Sequence, residues 1–406
     1  MPYTPISNKE AAFWRRVRRQ FFLPDDEIYL NTGTLSSVPK RAIRAVIETL
    51  KRTETNPTIE LHKNWELETA SRTRIARYLG AQPTEIVFFS NVTIGLNALF
   101  RGLPLSGGET LFSNQEYGSC VNALRFVAER RGMTARQFTM PLTPSEPREV
   151  VDSVLAALTP ETRLVYVSHI TCGTGMVVPV GRIGEELAAR GVMFAVDGAH
   201  APGQIPLDLD GMRGVSAYGG NLHKWFLGPK GTAFAWVPAR LHDEMGPLMV
   251  GFGGFRSRRP AEGTGTPPPP VEFHRSFRMP GCLDFSPWIG LAATLDFRER
   301  IGEERILARL RQLAAYCRET FARELGWKLR TPTHPELSGV ISSFEMPAAF
   351  PLPEKNAIQW FYDRHRITAS FIGGEGKGIR VSPHIYSSES DIDRLVECLK
   401  MEMKGA

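Results

Sequence analysis

Three short stretches carry residue types that could act together on a substrate. The first runs Tyr218-Gly219-Gly220-Asn221-Leu222-His223-Lys224-Trp225-Phe226-Leu227-Gly228-Pro229-Lys230-Gly231 and holds a lysine between glycine-rich turns, just before an apolar run. A lysine amine forms a Schiff base with a carbonyl cofactor once burial or a neighbouring cation, such as protonated His223, lowers its pKa. Taken singly, such a lysine would be a surface residue in a turn. The second is Asp197, which follows the apolar run Val192–Val196. An acid at the carboxyl end of a parallel strand lies where open α/β sheets bind ligands, and it can hold a protonated pyridine nitrogen. Taken singly, it would cap the next helix. The third is Phe88-Phe89-Ser90-Asn91-Val92-Thr93-Ile94-Gly95-Leu96-Asn97, a strand that enters a helix through Ser, Asn and Thr. Free backbone N–H groups, the helix dipole and a hydroxyl at such a junction suit phosphate. Ordinary caps look the same, so the argument rests on the three occurring in this order.

The elements that must position these residues are legible as apolar runs. Ile86–Phe89, Leu164–Val167, Val192–Val196 and Ala233–Trp236 are each four or five residues long and apolar on both faces. That is the pattern of strands covered by helices on either side, and it predicts an α/β fold built on a parallel sheet. Ser7-Asn8-Lys9-Glu10 has the form of a capping box, with Phe13, Val17 and Phe21 following at intervals of four, so a short amphipathic helix is expected there. Arg15, Arg16, Arg18 and Arg19 fall on its outer, solvated face. Between Gly251 and His274 the glycines, arginines and four consecutive prolines rule out regular structure and predict a long loop. From Trp288 to about Leu325 the chain reads as helical, and a mixed strand and helix pattern closes it. The expected division is an arm helix over 1–30 that packs with the small domain, a large domain over 31–289, and a small C-terminal domain over 290–406.

Composition narrows the function classes. The 406 residues are 42% hydrophobic and 23% charged, which excludes disordered and fibrous chains. A net charge of +6 is spread along the chain, so no nucleic-acid partner is expected. The five cysteines are odd in number and show no CxxC spacing, which points away from a disulfide framework or a zinc site and toward a reducing compartment. No metal is expected. No apolar run approaches a membrane span, and charges stand where a signal peptide would be apolar, so a cytoplasmic location is expected.

The order of phosphate junction, acid after a strand, and His-Lys between glycines resembles the class-V aminotransferase family of fold-type-I pyridoxal-phosphate enzymes. His223-Lys224-Trp225 with Gly228-Pro229-Lys230-Gly231 behind it looks most like the isopenicillin N epimerase and cysteine desulfurase group. The resemblance runs from Tyr29-Leu30-Asn31-Thr32-Gly33-Thr34 to Ile379-Arg380-Val381-Ser382-Pro383-His384-Ile385-Tyr386. It implies a large domain with a mainly parallel seven-stranded sheet, a smaller α+β domain, and pyridoxal 5'-phosphate as cofactor. On this resemblance Lys224 forms the internal aldimine, Asp197 pairs with the pyridinium nitrogen and His200 lies beside the ring oxygen. Val92 and Thr93 contact phosphate, joined by Asn221 and His223, while Tyr117 stacks on the ring. Arg380 grips the substrate α-carboxylate, with Asn31 in the same substrate site. A homodimer with shared active sites is implied, the Gly251–His274 loop crossing to the partner.

Three departures from the family pattern bear on activity. Cys172 stands where desulfurases place Asn near the ring oxygen. Gly281-Cys282 stands where many relatives have Gly-Thr reaching the partner's phosphate. The stretch Ala369–Gly378 contains no cysteine, and persulfide chemistry needs a thiolate there, so desulfuration is not expected. The expected activity is at the Cα of an amino acid, by an epimerase or a transaminase of specialised biosynthesis. The alternatives are a β-lyase of the C–S type and a non-catalytic sensor that keeps the fold.

Overall fold

The protein is described here by a computed structural model covering residues 3–251, 272–278, 281–372 and 377–404. Most of the Gly251–His274 loop, and part of the stretch before Arg380, lie outside the described residues.

The large sheet has seven strands in the order Ile86–Phe89, Ala233–Trp236, Ala217–Asn221, Met193–Asp197, Thr162–Ser168, Glu109–Ser113 and Thr134–Phe138. All neighbours pair in parallel except Ala233–Trp236, which is antiparallel to both of its neighbours. Successive side chains of a strand point to opposite faces. Accordingly Ile86 and Phe88 enter one buried cluster while Val87 and Phe89 enter a second, and Val165 and Val167 divide from Leu164 and Tyr166 in the same way. Helices cover both faces, which is why these strands read as continuous apolar runs.

Two features of this sheet differ from the sequence expectation. Tyr218-Gly219-Gly220-Asn221 is not a turn but most of the strand Ala217–Asn221, all of it buried. The close fit explains the glycines: a Cβ on Gly220 would lie 2.5 Å from the Phe234 ring, and one on Gly219 would lie 3.1 Å from Val92 Cγ2. Glu109–Ser113 and Thr134–Phe138 add two strands with no obvious signature, the second a partly exposed edge strand.

Asn8–Arg18 is helical, and the Ser7 hydroxyl accepts from Glu10 N–H at 3.2 Å as the capping pattern predicts. The Glu10 carboxylate does not return to the cap; Arg305 donates to both its oxygens, at 3.0 and 2.7 Å. Arg18 is not a solvated side chain, since it donates to the carbonyls of Tyr386, Pro24 and Glu27. Trp14 and Val17 form the buried face.

A third buried cluster surrounds an antiparallel sheet in the order Ser370–Ile372, Gly378–Val381, Ser342–Glu345. The helix Ser286–Ile301 packs on Lys40–Thr53 and Pro57–Tyr78, so position 290 falls within a helix that lies on the large-sheet side. Glu303–Leu325 follows after Gly302 and packs on Glu389–Lys404. Near the chain start, Ile28–Tyr29 pairs in parallel with Ile367–Thr368, and Thr32 N–H continues the pairing to Ser382 O. The start of the chain is thereby joined to residues near its end, in a two-stranded sheet separate from the large one. Among the described residues, no helix is long and apolar enough to cross a membrane.

Candidate active site

A cavity of about 380 Å³ opens at the carboxyl ends of the parallel strands. Ser168 and Asp197 are register partners on adjacent strands, and Asp197 is in turn opposite Gly219. Asp197 is only 3% exposed. Its Oδ1 accepts from Ala199 N–H at 2.8 Å and its Oδ2 from the Tyr166 hydroxyl at 3.3 Å. Burial pushes its carboxyl above the ordinary range, partly offset by the Ala199 hydrogen bond and the Lys224 charge.

Lys224 follows the strand Ala217–Asn221 in a tight turn, closed by Leu227 N–H donating to Lys224 O at 3.0 Å. Leu227 adopts the left-handed conformation with φ 71°, which a leucine holds only when the surroundings dictate it. Lys224 Nζ faces the cavity, 3.2 Å from His200 Nε2. Burial lowers its pKa. Lys230, the other lysine of the motif, donates instead to Ser36 O and does not face the cavity. Of the two expected routes to a lowered lysine pKa, burial is the one that operates; a protonated His223 is not the cause, since burial lowers His223 to about 4 and leaves it neutral at physiological pH.

At the phosphate junction, Asn91 caps the helix Val92–Gly102 by accepting from Ile94 N–H at 3.0 Å. Val92 N–H is not free for a ligand, because it donates to Asn221 Oδ1 at 2.9 Å. Asn221 thus ties the lysine strand to the helix start. Thr93, beside it in the first turn, lines the cavity, as does His223, whose Nδ1 is buried without a partner. An imidazole nitrogen without a partner, in a cavity that a helix N-terminus also lines, suits a bound oxyanion.

The carboxylate clamp is assembled from distant parts of the chain. Arg380, on Gly378–Val381, is 6% exposed and meets Asn31 because Asn31 bridges Ser382, just beyond the end of that strand. Its Nη2 donates to Thr34 Oγ1 at 3.0 Å and Asn31 Oδ1 at 3.3 Å, and its Nη1 to Cys172 Sγ at 2.8 Å and Cys172 O at 3.1 Å. Its Nε is buried and unpartnered. Gly33 passes against the guanidinium so closely that a Cβ would lie 3.3 Å from Arg380 Cζ. Asn31 stands behind the cavity wall, holding Arg380 and Thr34. Tyr117, half exposed, begins the helix Gly118–Arg130 at the cavity mouth.

Several contributing residues escaped the sequence reading. Glu116 accepts from the hydroxyls of Ser113 and Ser168, the latter at 2.6 Å, and burial pushes its carboxyl up to about 8. Tyr166 reads only as part of an apolar run, and Thr34 only as the end of the stretch Tyr29–Thr34, neither with a role of its own. Trp225 was visible only as a neighbour of Lys224. Among the described residues, no cluster of three or more His, Cys, Asp or Glu side chains is placed to hold a metal.

The donor set fits pyridoxal 5'-phosphate: an amine for its aldehyde, a buried acid for its ring nitrogen, and an unpartnered imidazole nitrogen, in a cavity that a helix start also lines, for its phosphate. The chain belongs to the class-V aminotransferase family of fold-type-I pyridoxal-phosphate enzymes; the family model, Aminotransferase class-V, matches residues 28–395. It is 33% identical over 402 residues to isopenicillin N epimerase of Streptomyces clavuligerus, covering 96% of this chain and 98% of that protein. A probable cysteine desulfurase of Methanothermobacter thermautotrophicus is 30% identical over 300 residues, 71% of each chain. Among solved structures, a lysine-to-alanine mutant of C-DES, with glycine covalently linked to its PLP cofactor, superposes with a TM-score of 0.82. It shares 25% identity, over 94% of this chain and 98% of that one.

Proposed function

We propose that the protein acts at the Cα of an amino-acid substrate in the manner of an isopenicillin N epimerase or a class-V transaminase, in specialised biosynthesis. The observation that carries this is the convergence of an amine, a buried acid and a carboxylate clamp, Lys224, Asp197 and Arg380, on one cavity. When bound, pyridoxal phosphate supplies an electron sink for the pair left at Cα. Lys224 would hold the cofactor and then move the Cα proton as an uncharged amine, help worth about 10²–10⁴-fold. Asp197 would hold the ring nitrogen, with His200 beside the ring oxygen. Thr93 and His223 would hold the phosphate, Val92 and Asn221 bracing the cradle between them. Arg380, whose Nη groups donate to Asn31, Thr34 and Cys172 while its Nε–H has no partner, would exchange some of these contacts for the substrate carboxylate in a planar two-point grip. Tyr117 would cover the ring and face the side from which epimerisation needs its second proton.

Cysteine desulfuration is not part of this reading. The stretch Ala369–Gly378 has no cysteine, and the thiol that does line the cavity, Cys172, is pinned against the Arg380 guanidinium rather than carried on a loop before it. We further propose a homodimer. Cys282 is exposed and Gly281 borders a second cavity away from the site, as expected if this segment meets a partner.

The decisive experiment reduces the protein with borohydride in the presence of excess pyridoxal phosphate and maps the labelled peptide. It is followed by a screen of amino acids for deuterium uptake at Cα in heavy water. Label at Lys224 and Cα exchange are expected; an unlabelled Lys224 overturns the reading.

A further inference from the structure

His200 touches two neighbours whose chemistry fixes where its proton sits. Its Nδ1 lies 3.3 Å from Trp225 Nε1, and its Nε2 lies 3.2 Å from Lys224 Nζ. An indole N–H can only donate. His200 Nδ1 must then be a bare acceptor, which rules out both the imidazolium and the Nδ1–H tautomer. The form that remains carries its proton on Nε2 and aims it at Lys224. An ammonium has no lone pair to accept it, so the contact is a hydrogen bond only when Lys224 is neutral.

We propose that Trp225 is a positioning residue whose indole N–H locks His200 as the Nε2–H tautomer, and that this keeps Lys224 an uncharged nucleophile at neutral pH. The indole is built not to move. Trp225 is fully buried, and its carbonyl accepts from His384 Nε2 at 3.0 Å and Arg298 Nη1 at 3.1 Å. Its ring stacks on His384 with centroids 5.8 Å apart, and Gly203 passes so tightly over its carbonyl that no side chain fits there. His200 is fixed from its own side by Gln204 Nε2 donating to its carbonyl at 2.8 Å.

The electrostatic surroundings agree. Burial is the first cause lowering both His200 and Lys224. The charged groups facing Lys224 oppose one another: Asp197 favours its ammonium while Arg380 disfavours it, and His200 faces Lys224 and Arg380. A donor N–H aimed at the amine adds to burial and to Arg380 on the side of neutrality.

The nucleophilic role of Lys224 rests on the function proposed above, but the tautomer does not, so the test begins with cofactor-free protein. Histidine is labelled with ¹⁵N, and the His200 resonances are assigned by their loss in His200→Gln. Wild type should show Nδ1 unprotonated and Nε2 protonated. Lys224 reactivity is read separately, as the pH dependence of its acetylation by acetic anhydride, resolved by peptide mass mapping. In Trp225→Phe, which keeps an aromatic ring but loses the donor, the two tautomers should mix and the acetylation midpoint should rise by about one pH unit. Lys224 would then label roughly tenfold more slowly near neutrality. A wild-type His200 protonated at Nδ1 overturns the proposal even if Trp225→Phe does not fold. So does a folded Trp225→Phe with an unchanged tautomer and an unchanged labelling profile. Failure of pyridoxal phosphate to label Lys224 would sink the cofactor reading and leave the imidazole result standing.

Discussion

Replacing Asp197 with asparagine should move the cofactor-free and cofactor-bound proteins in opposite directions. Without cofactor the carboxyl is 3% exposed and makes two hydrogen bonds, from Ala199 N–H and the Tyr166 hydroxyl. Asparagine fits both, its oxygen accepting from Ala199 while the tyrosine hydroxyl turns from donor to acceptor. Because burial raises the folded pKa above the unfolded value, the carboxyl contributes full stability below that unfolded value, and the contribution is lost as pH rises through the folded one. At neutral pH the cofactor-free wild type therefore carries a cost that asparagine removes, and Asp197→Asn should melt at or above it. Cofactor binding should reverse the comparison, since on the proposed pairing the carboxylate would then face the ring nitrogen. Deleting one member of a buried charge pair costs ~3–5 kcal/mol, roughly two to three and a half decades in Kd for pyridoxal phosphate. Melting curves of both proteins across a cofactor titration report both effects, because the stabilisation follows the ratio of ligand concentration to Kd. Equal cofactor affinities would refute the pairing, and a cofactor-free variant destabilised by several kcal/mol would refute the account of its burial.

Three further outcomes follow from the same geometry. Arg380→Lys keeps the charge but loses the planar fork that donates to Asn31, Thr34 and Cys172; KM for a carboxylate substrate should rise roughly tenfold to a hundredfold with cofactor affinity unchanged, and an unaltered KM would remove Arg380 from the clamp. Gly33→Ala places a methyl 2.9 Å from Ser382 Oγ and 3.3 Å from Arg380 Cζ, so it should also raise KM, together with an overpacking cost of ~1–3 kcal/mol read by denaturant melting. Glu116, pushed up to about 8 by burial, lends stability that is complete below its unfolded pKa and is lost as pH rises through about 8; Glu116→Gln should flatten the fall in Tm across that window, and parallel Tm profiles would show that its carboxyl does not titrate there.

What could be read from the chain alone was the chemistry of types. Lys224 and Asp197 gain meaning from occurring in order with the Ser-Asn-Thr junction rather than singly, and the strand that ends in Asp197 is an apolar run that only a covered sheet explains. Strand direction was not legible, because pairing sense leaves no mark on four residues such as Ala233–Trp236. Nor was the strand Ala217–Asn221, where glycines that favour no strand are required by the approach of Phe234 and Val92. The meeting of Asn31 with Arg380 depends on Asn31 bridging Ser382, a contact that no local pattern encodes. Charge states were the least accessible. His223 looks like a cation for Lys224 until burial is known to keep it neutral. Trp225 looks like core until the direction of one N–H is known. A sequence lists donors and acceptors but not which faces which, and for His200 that direction decides whether the ring accepts a proton from Lys224 or donates one to it.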